Sequence, residues 1–293
     1  MSSVYQFEYG AGVEWAEGIE EEILDRLSEV DCVELIPENF FFGRRRSFLK
    51  RLAASGKPVL IHGVELSLGT AEPLKEDHLD RILEVAGEVN TVEVSDHLCM
   101  TEAGGVEIGQ LTPLAWTRRS ADAVARNIES AMERMPWPFA IENIALRFVV
   151  PFAELSEAEH LSLVLRKTGC HLLLDLHNLH ANAHNFGFDP HAWLSAVDLS
   201  RVSSIHLAGG HVDDEGTLVD SHSHPVPPRV WDLLARVGSE VSPRWTIVER
   251  TENFPPYSEL LAEIAEARRV LGEAAGRARG ANGAGVAAEG AGT

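Results

Sequence analysis

The sequence predicts an α/β fold, a (β/α)8 TIM barrel. Short apolar runs rich in strand formers alternate with amphipathic helical patterns along the chain, the order that builds a parallel sheet. The length of 293 residues suits a closed barrel, which needs roughly 250. Neither a G-x-G-x-x-G dinucleotide fingerprint nor a G-x-x-x-x-G-K-[ST] phosphate loop occurs, which favours a closed barrel over an open nucleotide-binding sheet.

Taken in order, strands are expected near residues 5–9 and at 33–36, 59–62, 91–95, 139–142, 171–175, 204–207 and 246–249. These runs are apolar without strict alternation, as parallel strands buried on both faces should be. Helices fill the gaps. The segment 17–30 aligns Ile19, Ile23, Leu27 and Val30 on one face, and 74–85 aligns Leu79, Ile82 and Leu83. A third helix, 120–132, carries Val124, Ile128 and Met132. The next, 156–167, opens with Ser156 and Glu159 at capping-box spacing and stops before Gly169. Helices at 229–237 and 257–271 follow the later strands. The expected domain is 1–272, followed by a Gly/Ala-rich disordered tail over 273–293.

Composition narrows the function. Hydrophobic residues make up 45% of the chain, enough for a large core. Lys and Arg total 25 against 45 Asp and Glu, a net charge of −20. Such a surface repels phosphate backbones and anionic headgroups, so neither nucleic acid nor a membrane is an expected partner. Residues 1–12 lack a basic region followed by an apolar run, and no stretch approaches the roughly 18 apolar residues of a membrane helix. Cys32, Cys99 and Cys170 form no CxxC pair, which argues against a disulfide framework or structural zinc site. A cytoplasmic location is the expectation.

The chemistry of a barrel sits at the C-terminal ends of its strands. Polar residues recur there: His62; Asp96 and His97; Glu142 and Asn143; Asp175, His177 and Asn178; His206; Glu249; and, in the loop after the seventh strand, Asp220, His222 and His224. One such residue alone reads as structural. Seven stations converging on one rim do not, because burying so many ionisable groups without counterions costs several kcal/mol each. Cations resolve the conflict by making carboxylates and neutral imidazoles into ligands. His62, His97, Glu142, Asp175, His206, Asp220, His222 and Glu249 exceed the needs of one ion. Their nitrogen and oxygen donors suit iron, manganese or zinc.

Other polar residues read differently. His78, His160 and His191 lie in helical patterns, where surface positions are expected, and His171 begins a strand at the far end. Cys32 and Cys170 read as small core residues, and core packing is also expected for Cys99. The run 44–46 is either a solvated loop or a clamp for an acidic substrate or leader peptide.

Several segments occur in a telling order: Glu34-Leu-Ile-Pro-Glu-Asn39, His62-Gly-Val-Glu-Leu-Ser-Leu-Gly69, Ser95-Asp-His-Leu-Cys99, Ile141-Glu-Asn143, Asp175-Leu-His-Asn178, His206-Leu-Ala-Gly-Gly210, Asp220-Ser-His-Ser-His-Pro225 and Glu249-Arg-Thr-Glu-Asn253. Together they resemble the multinuclear non-haem iron-dependent oxidative enzymes, the MNIO family. That family includes methanobactin-forming oxidase subunits and oxidases that tailor Cys-rich bacterial peptides. The resemblance covers about residues 30–260. It implies two or three iron ions of mixed Fe(II)/Fe(III) state, with dioxygen as co-substrate. It also implies oxidation of a ribosomally made precursor peptide at Cys residues, and a partner protein that binds the peptide's leader. Carried over by motif, the ligands are His62, His97, Glu142, Asp175, His206, Asp220, His222 and Glu249, with Asn178 as a further one. Glu142, Asp175 and His206 are the expected catalytic core. His177-Asn178 stands where many members carry Asn-Asn, which leaves the role of His177 open. The rival expectation is a redox-inert divalent-metal sugar isomerase or epimerase, since xylose-isomerase-like barrels also carry His and carboxylates at strand ends. A metal-stabilised, non-catalytic scaffold in a peptide-maturation complex is the third.

Overall fold

Eight parallel strands close the sheet that the alternating pattern calls for: β1 (Gly10–Glu14), β2 (Val33–Leu35), β3 (Val59–Gly63), β4 (Thr91–His97), β5 (Phe139–Glu142), β6 (His171–Asp175), β7 (Val202–Leu207) and β8 (Trp245–Val248). Each pairs with its neighbours in sequence order, and β1 pairs with both β2 and β8. The computed structural model of the chain describes residues 9–43, 45–148 and 150–289, with side chains described as far as Arg277. The last seven strands lie within one or two residues of their expected bounds. The first does not: β1 begins at Gly10, whereas the run 5–9 falls outside the described residues except for Tyr9. The Gly-Ala-Gly of β1 hides it from a β-propensity reading.

Around the barrel lie α1 (Glu20–Asp25), α2 (Arg46–Ser55), α3 (Glu76–Gly87), α4 (Arg118–Arg134), α5 (Glu157–Thr168), α6 (Leu176–Phe186), α7 (Pro190–Ala196), α8 (Pro228–Gly238) and α9 (Tyr257–Glu289). The capping box of α5 is present as its spacing predicts, with Ser156 and Glu159 bonded reciprocally, and Gly169 ends the helix at φ 70°. Helix α9 crosses the expected boundary at 272, and Ala274 is buried. The helices α2, α6 and α7 are additions to the sequence reading. In α6 the start is set by Asp175, whose Oδ1 accepts the backbone N–H of Asn178 at 2.6 Å.

The large core cluster joins strands to helices, with Ile61, Val94, Ile141, Leu174 and Ile205 among its members. A smaller cluster of Cys32, Leu60, Trp245 and Ile247 is separate from it. Strand register explains the division, because residues two apart, and register partners in parallel strands, share a face. Leu60 shares a face with His62, and Ile247 is the partner of His206. The small cluster therefore lines the same inner face as the polar residues and closes the barrel beneath them.

Two antiparallel hairpins extend from strand ends: Met100–Ala103 with Val106–Thr112, and His211–Val212 with Leu218–Val219. After β7, Gly209 and Gly210 allow the chain to pass against the next segment. A Cβ at either would overlap the Pro225 or Val219 carbonyl. That close approach brings the loop carrying Asp220 and His222 over the barrel mouth.

Candidate metal centre

Register places the strand-end residues side by side. His97 is the partner of Glu142 in β4–β5, and Asp175 is the partner of His206 in β6–β7. Glu142 sits at the hub. Its Oε2 is 3.1 Å from His62 Nε2 and 3.1 Å from His97 Nε2, and its Oε1 is 3.6 Å from His206 Nδ1. His206 Nδ1 also lies 3.1 Å from Glu249 Oε1. His222 Nε2 is 2.8 Å from Asp220 Oδ1 and 3.8 Å from Glu249 Oε2. The rings are aimed from behind. His62 Nδ1 meets Ser95 Oγ at 2.9 Å, His97 Nδ1 meets the Gly63 carbonyl at 3.2 Å, and His206 Nε2 meets Glu34 at 2.9 Å. Such outer partners fix which nitrogen faces a metal.

Four groups each offer three donor atoms within 4.8 Å of one another: His62, His97 and Glu142; Glu142, Asp175 and His206; Glu34, His206 and Glu249; and Glu14, His222 and Glu249. Glu142, His206 and Glu249 each belong to two groups, so the groups form one connected array. The buried atoms Glu14 Oε2, Glu34 Oε1, Glu142 Oε2, Asp175 Oδ2, Asn178 Oδ1, His206 Nδ1, Asp220 Oδ1, His222 Nε2 and Glu249 Oε2 make no well-directed hydrogen bond, although several lie within ion-pair distance of one another. A buried polar atom left without a hydrogen bond costs about 1–3 kcal/mol, so nine poorly directed donors and acceptors in one array mark a site suited to cations. The residues present fit metal cations.

The charges conflict in the same place. Burial raises the carboxyl of Glu14 to about 8, with Glu249 adding repulsion. Asp175 is raised well above its ordinary value by burial and by Glu142 and Glu249. Burial opposes charge on His62, yet Glu142 holds it up at about 9. His206 and His222 are likewise raised against burial, chiefly by the charge of Glu249. The polypeptide alone thus holds protons on several groups that a cation would use as ligands. His222 also adopts φ 48°, a left-handed conformation that a non-glycine residue rarely takes and that recurs at functional sites.

All nine metal residues expected from sequence fall at this mouth. Seven belong to the array or approach its members directly as donors: His62, His97, Glu142, Asp175, His206, His222 and Glu249. Asp220 joins through His222, and Asn178 sends its Nδ2 toward Glu142 Oε1 at 3.4 Å. His177 is fully buried, with Nε2 3.6 Å from Asp220 Oδ1 and burial pulling it down to about 4. Glu14 and Glu34 are the residues the sequence reading missed. Both follow apolar strand residues and carry the same signal as Glu142, but Glu14 ends the misplaced first strand and Glu34 lies inside a three-residue one.

Other expectations change. His160 is buried rather than at the surface, its Nε2 3.0 Å from Ser120 Oγ. Arg45 pairs with Glu17 at 2.6 Å, and Arg46 pairs with Glu84 and Glu88, so these two are engaged with the chain's own acids; Arg44 lies outside the described residues. Cys32, Cys99 and Cys170 are all buried, as expected.

The model of a family described as RiPP precursor modification enzyme MbnB/TglH/ChrH matches residues 10–272. The chain belongs to this family, the MNIO family. RiPPs are ribosomally synthesised, post-translationally modified peptides, so membership indicates an enzyme and points to a precursor peptide as the class of substrate. A UPF0276 protein of Rhizorhabdus wittichii is 40% identical over 241 residues, covering 82% of this chain and 86% of that protein. Among solved structures, a putative xylose isomerase from Rhodospirillum rubrum superposes with a TM-score of 0.56 at 14% identity, covering 89% of this chain and 98% of that one. D-psicose 3-epimerase in the presence of D-fructose gives 0.52 at 12%, covering 90% and 97%. These two similarities establish the xylose-isomerase-like barrel and carry no chemistry with them. No described helix is long and apolar enough to cross a membrane.

Proposed function

We propose that the chain holds two or three iron ions at the barrel mouth and uses dioxygen to oxidise a precursor peptide at Cys residues. The observation that carries the proposal is the connected array of donors, three of which are shared between groups, in a chain of a peptide-modifying family. One ion cannot use so many ligands. His62, His97 and Glu142 would hold one ion, and Glu142, Asp175 and His206 a second. Glu249 and His222, with Glu14 and Asp220 near them, would hold a third, and Asn178 lies beside Glu142. Glu142, Asp175 and His206 are the proposed catalytic residues, because Glu142 and His206 are each shared between two groups. Iron bound there supplies redox chemistry with dioxygen and a site for a substrate thiolate.

The chain's own part is positional. Ser95 and the Gly63 carbonyl aim His62 and His97 at Glu142, and Glu34 aims His206. Asp175 uses one oxygen to start α6 and leaves the other free for the mouth. The apolar cluster under the site keeps water out from below. A leader-binding partner protein completes the proposed system, which works in the cytoplasm.

The test is a mass measurement. The iron-loaded protein is incubated with a Cys-containing precursor peptide from its own gene neighbourhood and any adjacent leader-binding protein, in air and without oxygen. A mass change on Cys only in air supports the proposal. Turnover that continues anaerobically, or epimerisation of a ketohexose by a zinc- or manganese-loaded form, would replace it with the redox-inert reading.

A further inference from the structure

A second cavity lies apart from the metal array and plays no part in the chemistry above. It opens to solvent and holds about 430 Å³, and Trp116, Leu146, Phe186, Phe188 and Trp193 supply its large apolar side chains. The walls are held in place. The indole Nε1 of Trp193 donates to Glu157 Oε2 at 3.0 Å, the Trp116 carbonyl accepts from the N–H groups of Glu154 and Leu155, and Phe186 packs with Leu146 and Trp116. A preformed cavity of this size and lining is that of a ligand site. The charged side chains in its lining are Glu157 and Asp189, both acidic.

Leu146 also lines a neighbouring groove of about 410 Å³. Gln110 and Leu111 of one hairpin and Thr217, Leu218 and Val219 of the other flank this groove, and Asp220 of the metal mouth lies at its edge. The groove thus lies between the cavity, with which it shares Leu146, and Asp220 of the metal mouth, flanked by two short strands whose backbone edges are suited to an extended chain.

We propose that the cavity is a specificity subsite that receives one large apolar side chain of the substrate peptide, with a basic residue beside it in that peptide. The apolar side chain fits the aromatic walls, the basic neighbour answers Glu157 and Asp189, and the groove carries the intervening chain toward the metal mouth. The identity of the ligand as substrate rests on the peptide-oxidising reading; the binding chemistry does not.

Three dipeptides test it on the iron-loaded chain: acetyl-Phe-Lys-amide, acetyl-Ala-Lys-amide and acetyl-Phe-Glu-amide, each titrated against tryptophan fluorescence. The first should bind about ten-fold more tightly than the second, because a buried aromatic ring is at stake, and about three-fold more tightly than the third, because one charge partner, Asp189, is exposed and the other, Glu157, is raised by burial to about 7. Ala192→Phe, on the exposed face of α7 that lines the cavity, should remove binding of the first while leaving iron content unchanged. Glu157→Gln, which still accepts from Trp193, should reduce the preference for Lys over Glu, with Asp189 keeping the remainder, and keep the preference for Phe over Ala. Equal binding of all three dipeptides, no saturable binding, or binding untouched by Ala192→Phe would overturn the subsite. Oxidation of the precursor without dipeptide binding defeats this inference alone. Dipeptide binding without any oxidation defeats the oxidase reading alone.

Discussion

Glu142→Gln keeps the shape of the hub side chain and removes its charge. Its carboxylate lies 3.1 Å from both His62 Nε2 and His97 Nε2. At an effective dielectric of about 20, one unit charge at that distance is worth about 5 kcal/mol. A cation using the same carboxylate loses an interaction of at least that order, which corresponds to about four orders of magnitude in affinity. Since Glu142 belongs to two groups, both should weaken, and the variant should lose at least one iron. The fold should persist, because the strand's apolar neighbours Ala140 and Ile141 are fully buried independently of the carboxylate. In the metal-free variant the His62 imidazole should titrate at lower pH, as the charge that holds it up against burial is gone. The assay is iron per chain by elemental analysis, alongside circular dichroism and the oxygen-dependent mass change. Full iron content with full turnover would refute the reasoning about the hub.

Three further outcomes follow from the same geometry. Iron uptake by the metal-free protein should release protons and tighten as pH rises from 6 to 8, because Glu14 is raised to about 8 and Asp175 is raised too; calorimetry in two buffers that yields no proton release would contradict this. His160 is held neutral by burial down to about 4; its folded value lies below the ordinary 6.5, so the stability it allows is present above 6.5 and is lost as pH falls through about 4. His160→Leu should flatten that acid loss by up to about 3 kcal/mol, with Ser120 Oγ retaining its backbone acceptors; equal acid profiles would show that another group sets the slope. Gly209→Ala forces its new Cβ into the carbonyls of His224 and Pro225, so it should displace the loop bearing Asp220 and His222 and lower iron content, checked by metal analysis; unchanged iron would mean that the loop position does not matter.

Much of the site was legible because parallel strands end where their chemistry begins. His97, Glu142, Asp175 and His206 each terminate or nearly terminate an apolar run, and register then sets them beside one another. Glu14 escaped because the glycines of β1 give no strand signal, although they are needed where Gly12 passes the Cys32 backbone. The helix α6 escaped because Leu172–Leu174 merges with Leu176 into one apolar run, and only the cap bond from Asn178 to Asp175 shows the break. Helix α2 buries Phe48, Leu49 and Leu52 amid Arg and Lys, a mix whose charges mask the helical spacing of its apolar residues. The surface expectation for His160 fails because helical periodicity alone does not say that α4 and α5 meet at Ser120.

The central claim is that one connected donor array holds more than one iron, and anomalous diffraction at the iron edge from crystals of protein made in iron-replete cells tests it most directly. The account predicts at least two iron peaks per chain, with Glu142 touching two of them and Glu249 beside one. A single peak, or one zinc and no iron, would contradict it.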